Sequence, residues 1–458
     1  MSDKRTHWGS RLGFILAASG SAIGLGNLWK FPYITGANGG GLFVLIYLAA
    51  ILLVGLPIMF AEVLLGRGAQ ASAVGAFREM NQGRKSGWMG VGWIGVIAAF
   101  VILSYYSVVG GWSLHYIWHA IGGDFGSQAD PEIIKNSFAK LYTDPAANLL
   151  GHVLFMGATI GIVLGGVQKG VERAARILMP TLFIMLLLLL AYATTMPGFP
   201  QALEFVFAPN AAKLTAAGVL EALGHSFFTL SLGMGAMLTY GSYLDKNADI
   251  VVASVTITVL DTVVALVACM VLFPITYSFG MEASAGPGLV FTNMPLAFAQ
   301  MPGGTLWAIG FFTLLTFAAL SSAISLLEVA AAYFIDERGF GRPQATLLTG
   351  VSILLLGIPS ALSGGTELFG KTMQDTVGMN WFDTFDYVAS NWLLTLGGLG
   401  IAIFVAWKVG DEARHQCFTT GSSVGVKIYA GWLVALRYIV PVAILAVFLH
   451  ATGIIKLE

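Results

Sequence analysis

Five ionisable side chains sit inside long apolar runs of this chain: Lys30, Glu62, Asp261, Glu328 and Arg437. A charge buried in protein or lipid is costly unless it is paired or put to use, so each needs a partner or a task. Structural pairing is the ordinary outcome. Asp261 stands apart because Thr256, Thr258 and Thr262 lie beside it in one apolar run. A hard cation such as sodium takes several oxygen ligands, which a carboxylate, hydroxyls and backbone carbonyls can supply together. The segment FAALSSAISLLE (317–328) adds adjacent Ser321 and Ser322, which cannot both face lipid. One turn there can present a carbonyl and two hydroxyls, although hydroxyls that bond back to their own helix are commoner. In SYYSVVGGW (104–112), Tyr106 could close a pocket with its ring and donate from its hydroxyl; a packing or interfacial tyrosine is the plainer reading.

These groups must be held by elements that look unusual. SGSAIGLGNLWKFP (19–32) and FFTLSLGMGAMLTYGSY (227–243) each carry a Gly-x-Gly pair amid apolar sequence, at Gly24/Gly26 and Gly233/Gly235. Glycine weakens a helix. Unwound backbone at membrane depth persists only where it is buried in protein or lines a cavity. Close helix packing through small residues is the alternative for either segment alone. Two such segments, each opening a half of five spans, point instead to an inverted repeat with its site between the breaks.

The surrounding frame is a membrane protein. Of 458 residues, 57% are hydrophobic and 10% charged, against about 25% charged in soluble domains. Such a chain cannot furnish a polar skin, so lipid must solvate much of it. Runs long enough for a crossing helix, about 20 residues, lie at 12–35, 42–66, 88–121, 151–168, 174–196, 218–243, 250–277, 304–335, 343–363, 384–408 and 428–452. The expected architecture is therefore all-α, with eleven spans in a single domain over 1–458. Its first repeat is 12–196, its second 218–409, and an extra helix covers 426–452. Barrel strands would be shorter and alternating. With the N-terminus in the cytoplasm, sixteen of the 23 Lys and Arg fall on the inner side and five on the outer, which fixes the orientation and puts the C-terminus outside. The run after the basic start continues into Asn27, Trp29 and Lys30 without a cleavage pattern, so it reads as a span rather than a signal peptide. The formal net charge of −1 argues against a nucleic-acid partner. Cys269 and Cys417 make no disulfide framework.

Two motifs lead nowhere. GSSVG (421–425) matches the hydrolase Gly-x-Ser-x-Gly string, but no strand precedes it and it falls in a loop. His115 and His119 have the helical spacing of metal ligands without the glutamate of an H-E-x-x-H motif. No phosphate-cradling glycine loop supports ATP-driven pumping.

RLGFILAASGSAIGLGNLWKFP, EVLLGR (62–67), FFTLSLGMGA and RYIVP (437–441) follow one another in an order that resembles the neurotransmitter:sodium symporter family, over nearly the whole chain. The resemblance implies the leucine-transporter fold of a bacterial inner-membrane protein, in which discontinuous helices face the substrate carboxylate. It further implies that the backbone of Ala22, Gly24 and Gly26 receives that carboxylate with help from Tyr106. Carbonyls of Phe228 and Thr229 and the Ser231 hydroxyl would hold the ammonium group. The side-chain pocket would be lined by Ile102, Phe228, Met234, Ser322 and Leu326. One sodium would sit among Ala22, Asn27, Thr229 and Asp261, and a second among Gly20, Ile23, Ala318, Ser321 and Ser322. Glu62 would cap unpaired donors of the broken helices. Lys30 with Asp386 would form the outer gate, and Arg5 with Asp336, beside Trp8 and Tyr243, the inner one. GVERAARILMP (170–180) resembles the family's Gly-x9-Pro segment, expected to unwind and admit water to the second sodium.

Departures from the family's pattern carry information. Asp261 replaces a common amide, and Ala265 stands where chloride-dependent members have serine. Two sodium ions with a zwitterion bring a buried charge of +2, which Asp261 lowers to +1; transport without chloride is expected. His225, in place of a glutamine, gives the outer gate a titratable group. Lys30 replaces the usual arginine, and a twelfth span is missing. The expected function is alternating-access symport of two sodium ions with a neutral, hydrophobic or aromatic amino acid, without an obligatory protein partner. A non-translocating amino-acid sensor on the same fold is the alternative, although no cytoplasmic signalling domain is present. A membrane enzyme ranks third, because no nucleophile–base pair is visible.

Overall fold

The computed structural model describes residues 6–126, 130–210, 213–281 and 289–455, and these contain helices and connecting turns but no strand. Arg5, and with it the expected pair to Asp336, lies outside the described residues. Two helices open the chain, α1 (Arg11–Ala22) and α2 (Gly26–Ala37), bent by 47° at a short break. Then come α3 (Gly41–Ala69), α4 (Met89–Ile121), α5 (Pro145–Leu164) and α6 (Val167–Ala193). The pair α7 (Ala216–Thr229) and α8 (Ala236–Gly241) follows, and after it α9 (Ile250–Ser278), α10 (Gly304–Arg338), α11 (Arg342–Leu362), α12 (Trp381–Lys408) and α13 (Ser423–Ala451).

Nine of these helices are long and apolar enough to cross a bilayer, and the α1–α2 pair makes up to ten among the described residues. The sixth of the eleven expected crossings, 218–243, is divided between α7 and α8, with 14 and 6 residues, so neither piece has the length to span alone. The expected start of the fourth span also shifts. Asp144 accepts hydrogen bonds from the amides of Ala146 and Ala147, so α5 begins at Pro145 in polar sequence that hydropathy does not mark.

Burial separates the helices into two roles. The central 35-residue α10 packs most heavily on α4, and α1 lies against α6, α9 and α10. The outer helices keep apolar residues exposed: Ile184, Leu187 and Leu188 on α6, and Val434, Val442 and Leu445 on α13. Contiguous apolar surface of this kind is covered by lipid in a multi-pass membrane protein. Rigid apolar packing around α4 and α10 therefore surrounds the two interrupted helices, and the candidate site lies where they meet.

Candidate functional site

An α-helix feeds each amide to the carbonyl four residues back. At the first break that ladder is rerouted. The amide of Ile23 still reaches Ser19 O at 2.7 Å. The amide of Gly24 instead donates to Asn27 Oδ1 at 3.1 Å, and that of Leu25 to the Tyr106 hydroxyl at 3.1 Å. The carbonyls of Gly20 and Ser21, which those amides would have occupied, are thereby released. At the second break Ser231 is left-handed, with φ of 54°, and Gly233 and Gly235 follow at 80° and 75°. Gly233 also passes so near α12 that a Cβ there would lie 2.3 Å from Leu394 O. Its amide donates to Glu62 Oε1 at 2.6 Å, and Glu62 is fully buried. That contact matches a capping role, since a buried amide without an acceptor is strongly unfavourable.

Between the breaks is a small cavity of about 20 Å³. It is lined by Ser21, Ala22, Gly24, Gly26, Ile102, Tyr106, Phe228, Ser231, Met234, Ser322 and Leu326. All the expected substrate-contacting residues are there except Thr229, which turns to Asp261, and Ser21 joins them. Gly24 has to lack a side chain: a Cβ would lie 2.5 Å from Ser322 Oγ and 2.8 Å from the Tyr106 oxygen. Since Tyr106 accepts from Leu25, its own proton is left to donate.

Asp261 is fully buried on α9. Asn27 Nδ2 donates to its Oδ1 at 2.8 Å and to its backbone oxygen at 3.0 Å. Thr229 Oγ1 lies 3.1 and 3.3 Å from the two carboxylate oxygens. None of the ion pairs among the described residues includes it. Of the expected first sodium set, Asn27, Thr229 and Asp261 are therefore brought together around a carboxylate without an ion-pair partner among the described residues, and Ala22 lines the small cavity. For the second set, Ser322 Oγ reaches Ser21 O at 3.0 Å and Gly20 O at 3.4 Å, joining α10 to α1. Ser321 Oγ donates to Ala318 O at 2.9 Å in its own helix. No three His, Cys, Asp or Glu side chains among the described residues converge as metal ligands. Sodium needs no such cluster, because neutral oxygens serve it.

The two approaches to the cavity differ. On the Lys30 side lies a cavity of about 400 Å³, lined in part by Lys30, Glu221, His225 and Phe228, and Phe228 borders the small chamber as well. Lys30 and Asp386 are not paired. Lys30 Nζ stands 4.7 Å from the centre of the Phe228 ring, a cation–π contact. Asp386 accepts from Tyr105 at 2.8 Å and Ser390 at 3.1 Å. On the opposite side, aromatic and charged side chains pack together. Trp8 is buried, with its amide on Tyr243 O at 3.1 Å and its indole N–H on Tyr240 O at 2.9 Å. Tyr243 donates to Glu328 Oε1 at 2.6 Å, and Arg342 grips Glu328 with two contacts of 2.6 and 2.9 Å.

Sequence reasoning missed several members of this assembly. Arg342 was not paired with Glu328. Arg67, fully buried, donates to carbonyls of Ala248, Cys417 and Thr420. Glu172 accepts from the amide of Gly9 at 2.7 Å and pairs with Arg176 at 2.6 Å, holding the start of α1 to α6. The 170–180 segment is helical here, with a π-turn over Val167–Glu172. Arg437 donates to Ala406 O at 3.2 Å. Ser422 of the GSSVG string is an N-cap, accepting from Gly425 N at 3.0 Å. The His115 and His119 rings lie 4.3 Å apart, and His119 pairs with Asp124.

The chain is similar to known proteins over nearly its whole length. The model of the sodium:neurotransmitter symporter family matches residues 5–128 and 145–457. The uncharacterized sodium-dependent transporter YhdH of Bacillus subtilis is 39% identical, over 99% of both chains. An uncharacterized sodium-dependent transporter of Methanocaldococcus jannaschii is 31% identical, over 99% of this chain and 92% of its own. The crystal structure of MhsT in complex with L-phenylalanine superposes with a TM-score of 0.89 at 44% identity, covering 98% of this chain and 100% of that one.

Proposed function

Because the chain belongs to the sodium:neurotransmitter symporter family, and is a sodium-coupled symporter by that membership, we propose that its cargo is a neutral, hydrophobic or aromatic amino acid moved with two sodium ions. The observation that carries this reading is Asp261: a fully buried carboxylate, held by Asn27 and Thr229 beside the first break, with no cationic side chain against it. The missing positive charge is the ion.

The geometry divides the cargo's two ends. Tyr106 keeps a proton to offer a carboxylate, and the N-terminus of α2, which begins at Gly26 in the cavity lining, carries partial positive charge. The apolar remainder faces Ile102, Met234, Leu326 and the Phe228 ring. A cavity of about 20 Å³ holds roughly one water molecule, so admission of an amino acid requires Phe228 and Met234 to move. The glycines flanking Met234 give that loop the freedom to do so. Because MhsT was crystallised with L-phenylalanine, aromatic cargo is the first choice for assay.

In this reading the Lys30 side faces outwards and is the open one, while Trp8 and the Glu328–Arg342 pair close the cytoplasmic side. Alternating access then exchanges these seals. The gradient suffices: ~2.3 kcal/mol for each charge at about 100 mV, with ~1.4 more for a tenfold gradient. Two ions supply roughly 7 kcal/mol, equivalent to about 10⁵-fold accumulation. Asp261 supplies the negative charge that a chloride ion would otherwise bring, and buried Ala265 offers it no hydroxyl. Uptake of labelled L-phenylalanine into proteoliposomes, with sodium outside and potassium inside, tests the reading. Accumulation should vanish when sodium is equal on both sides and persist when gluconate replaces chloride. Uptake indifferent to the sodium gradient would refute it.

A further inference from the structure

The carbonyl released when Leu25 turns to Tyr106 belongs to Ser21, and it is taken up twice. Ser231 Oγ donates to it at 2.8 Å from the second break, and Ser322 Oγ donates to it at 3.0 Å from α10. The Ser21 hydroxyl in turn donates to Ser325 Oγ at 2.7 Å, and Ser325 donates to Ser322 O at 2.8 Å. All four serines are buried. Ser21 thus joins both interrupted helices to α10, and it stands between Gly20 and Ala22, one residue from each expected sodium set.

We propose that Ser21, anchored through its hydroxyl to Ser325, is a positioning residue that sets the polarity of the substrate and ion sites. A serine hydroxyl has one proton and two lone pairs. By taking the protons of Ser231 and Ser322, the Ser21 carbonyl leaves each of those hydroxyls with lone pairs alone to turn towards a ligand. An ammonium group and a sodium ion both need such acceptors, and a hydroxyl free to rotate would present its proton to them part of the time. The Ser325 anchor matters because α1 ends one residue later and nothing in its own ladder holds the Ser21 carbonyl in place. One knot then serves the substrate and the second sodium: a shift of Ser21 alters Ser231 at the substrate's amine and Ser322 at that ion together. The inference rests on the symport reading and deepens it.

The test is sodium titration of L-phenylalanine binding to the purified full-length chain, with thermal unfolding measured in parallel. The unaltered protein must first bind in a sodium-dependent way; if it does not, the symport reading itself fails. Ser325→Ala should raise the sodium concentration for half-saturation about tenfold, which corresponds to one repositioned hydrogen bond. Its maximal binding should be unchanged, and its response to sodium less steep. Ser21→Ala should raise the half-saturation concentration by a similar factor, and the double variant no more than either alone, because the two hydroxyls act as one pair. Ser325→Thr, which keeps the hydroxyl, should return half-saturation to within about threefold. Should Ser325→Ala fail to fold, Ser21→Ala carries the same expectation from the other end. Half-saturation and steepness within twofold of the unaltered protein, in variants that unfold at its temperature, would overturn the proposal while leaving the symport reading intact.

Discussion

Asn27 and Asp261, 234 positions apart in the chain, are joined by two hydrogen bonds from one amide nitrogen, to the carboxylate at 2.8 Å and to the backbone oxygen at 3.0 Å. The first broken helix is thereby tied to α9 at the point where an ion is expected. The amide satisfies one side of the carboxylate without neutralising it.

Removing that charge should strike ion binding before folding. Asp261→Ala is expected to raise the sodium half-saturation of amino-acid binding by roughly 30- to 100-fold, the equivalent of a charge-assisted contact worth about 2–3 kcal/mol. Isothermal titration at several sodium concentrations reads this directly. Sodium dependence unchanged by the substitution would remove Asp261 from the ion site.

Glu62 acts on stability instead. Glu62→Leu leaves the Gly233 amide buried with no acceptor, and should destabilise the protein by about 1–3 kcal/mol. Glu62→Gln keeps an acceptor oxygen and should recover most of that loss. Thermal unfolding of the two variants side by side distinguishes a cap from a merely buried carboxyl, for which both would behave alike.

Space at the first break is tested by Gly24→Ala. The added methyl would lie 2.5 Å from Ser322 Oγ and 2.8 Å from the Tyr106 oxygen, inside van der Waals contact. At least a tenfold loss of substrate affinity is expected, together with a loss of stability of about 1–3 kcal/mol from the overpacking. Full affinity in this variant would mean that the cargo binds elsewhere.

Ser422→Ala addresses the hydrolase-like string. Loss of an N-cap costs about 1 kcal/mol, so a slight drop in unfolding temperature should accompany undiminished uptake. Abolished uptake in a well-folded variant would show that the loop does more than start a helix.

What the sequence made legible follows from how local each signal is. Gly24, Gly26, Gly233 and Gly235 announce the breaks because glycine pairs in apolar runs are visible without a partner. Asp261 and Glu62 announce themselves because a lone carboxylate in such a run demands an explanation. Ser21 and Ser325 gave no such sign. Serine in a membrane helix is ordinary, and their meeting spans 304 positions. Arg342 and Glu328 were hidden for a related reason: the arginine begins α11, where a positive charge reads as loop sequence. The division of the 218–243 run into α7 and α8 was foreseeable from Gly233 and Gly235. Its six-residue second piece was not, because nothing local in the apolar run marks where that helix stops.

The Phe228 ring is a party wall between the wide vestibule and the small chamber, and Lys30 rests its charge on it. In the proposed reading, cargo passing from vestibule to chamber would move past that ring, and a displaced ring would leave the ammonium without its cation–π partner. Entry of cargo and release of a positive charge at the doorway would then be a single event.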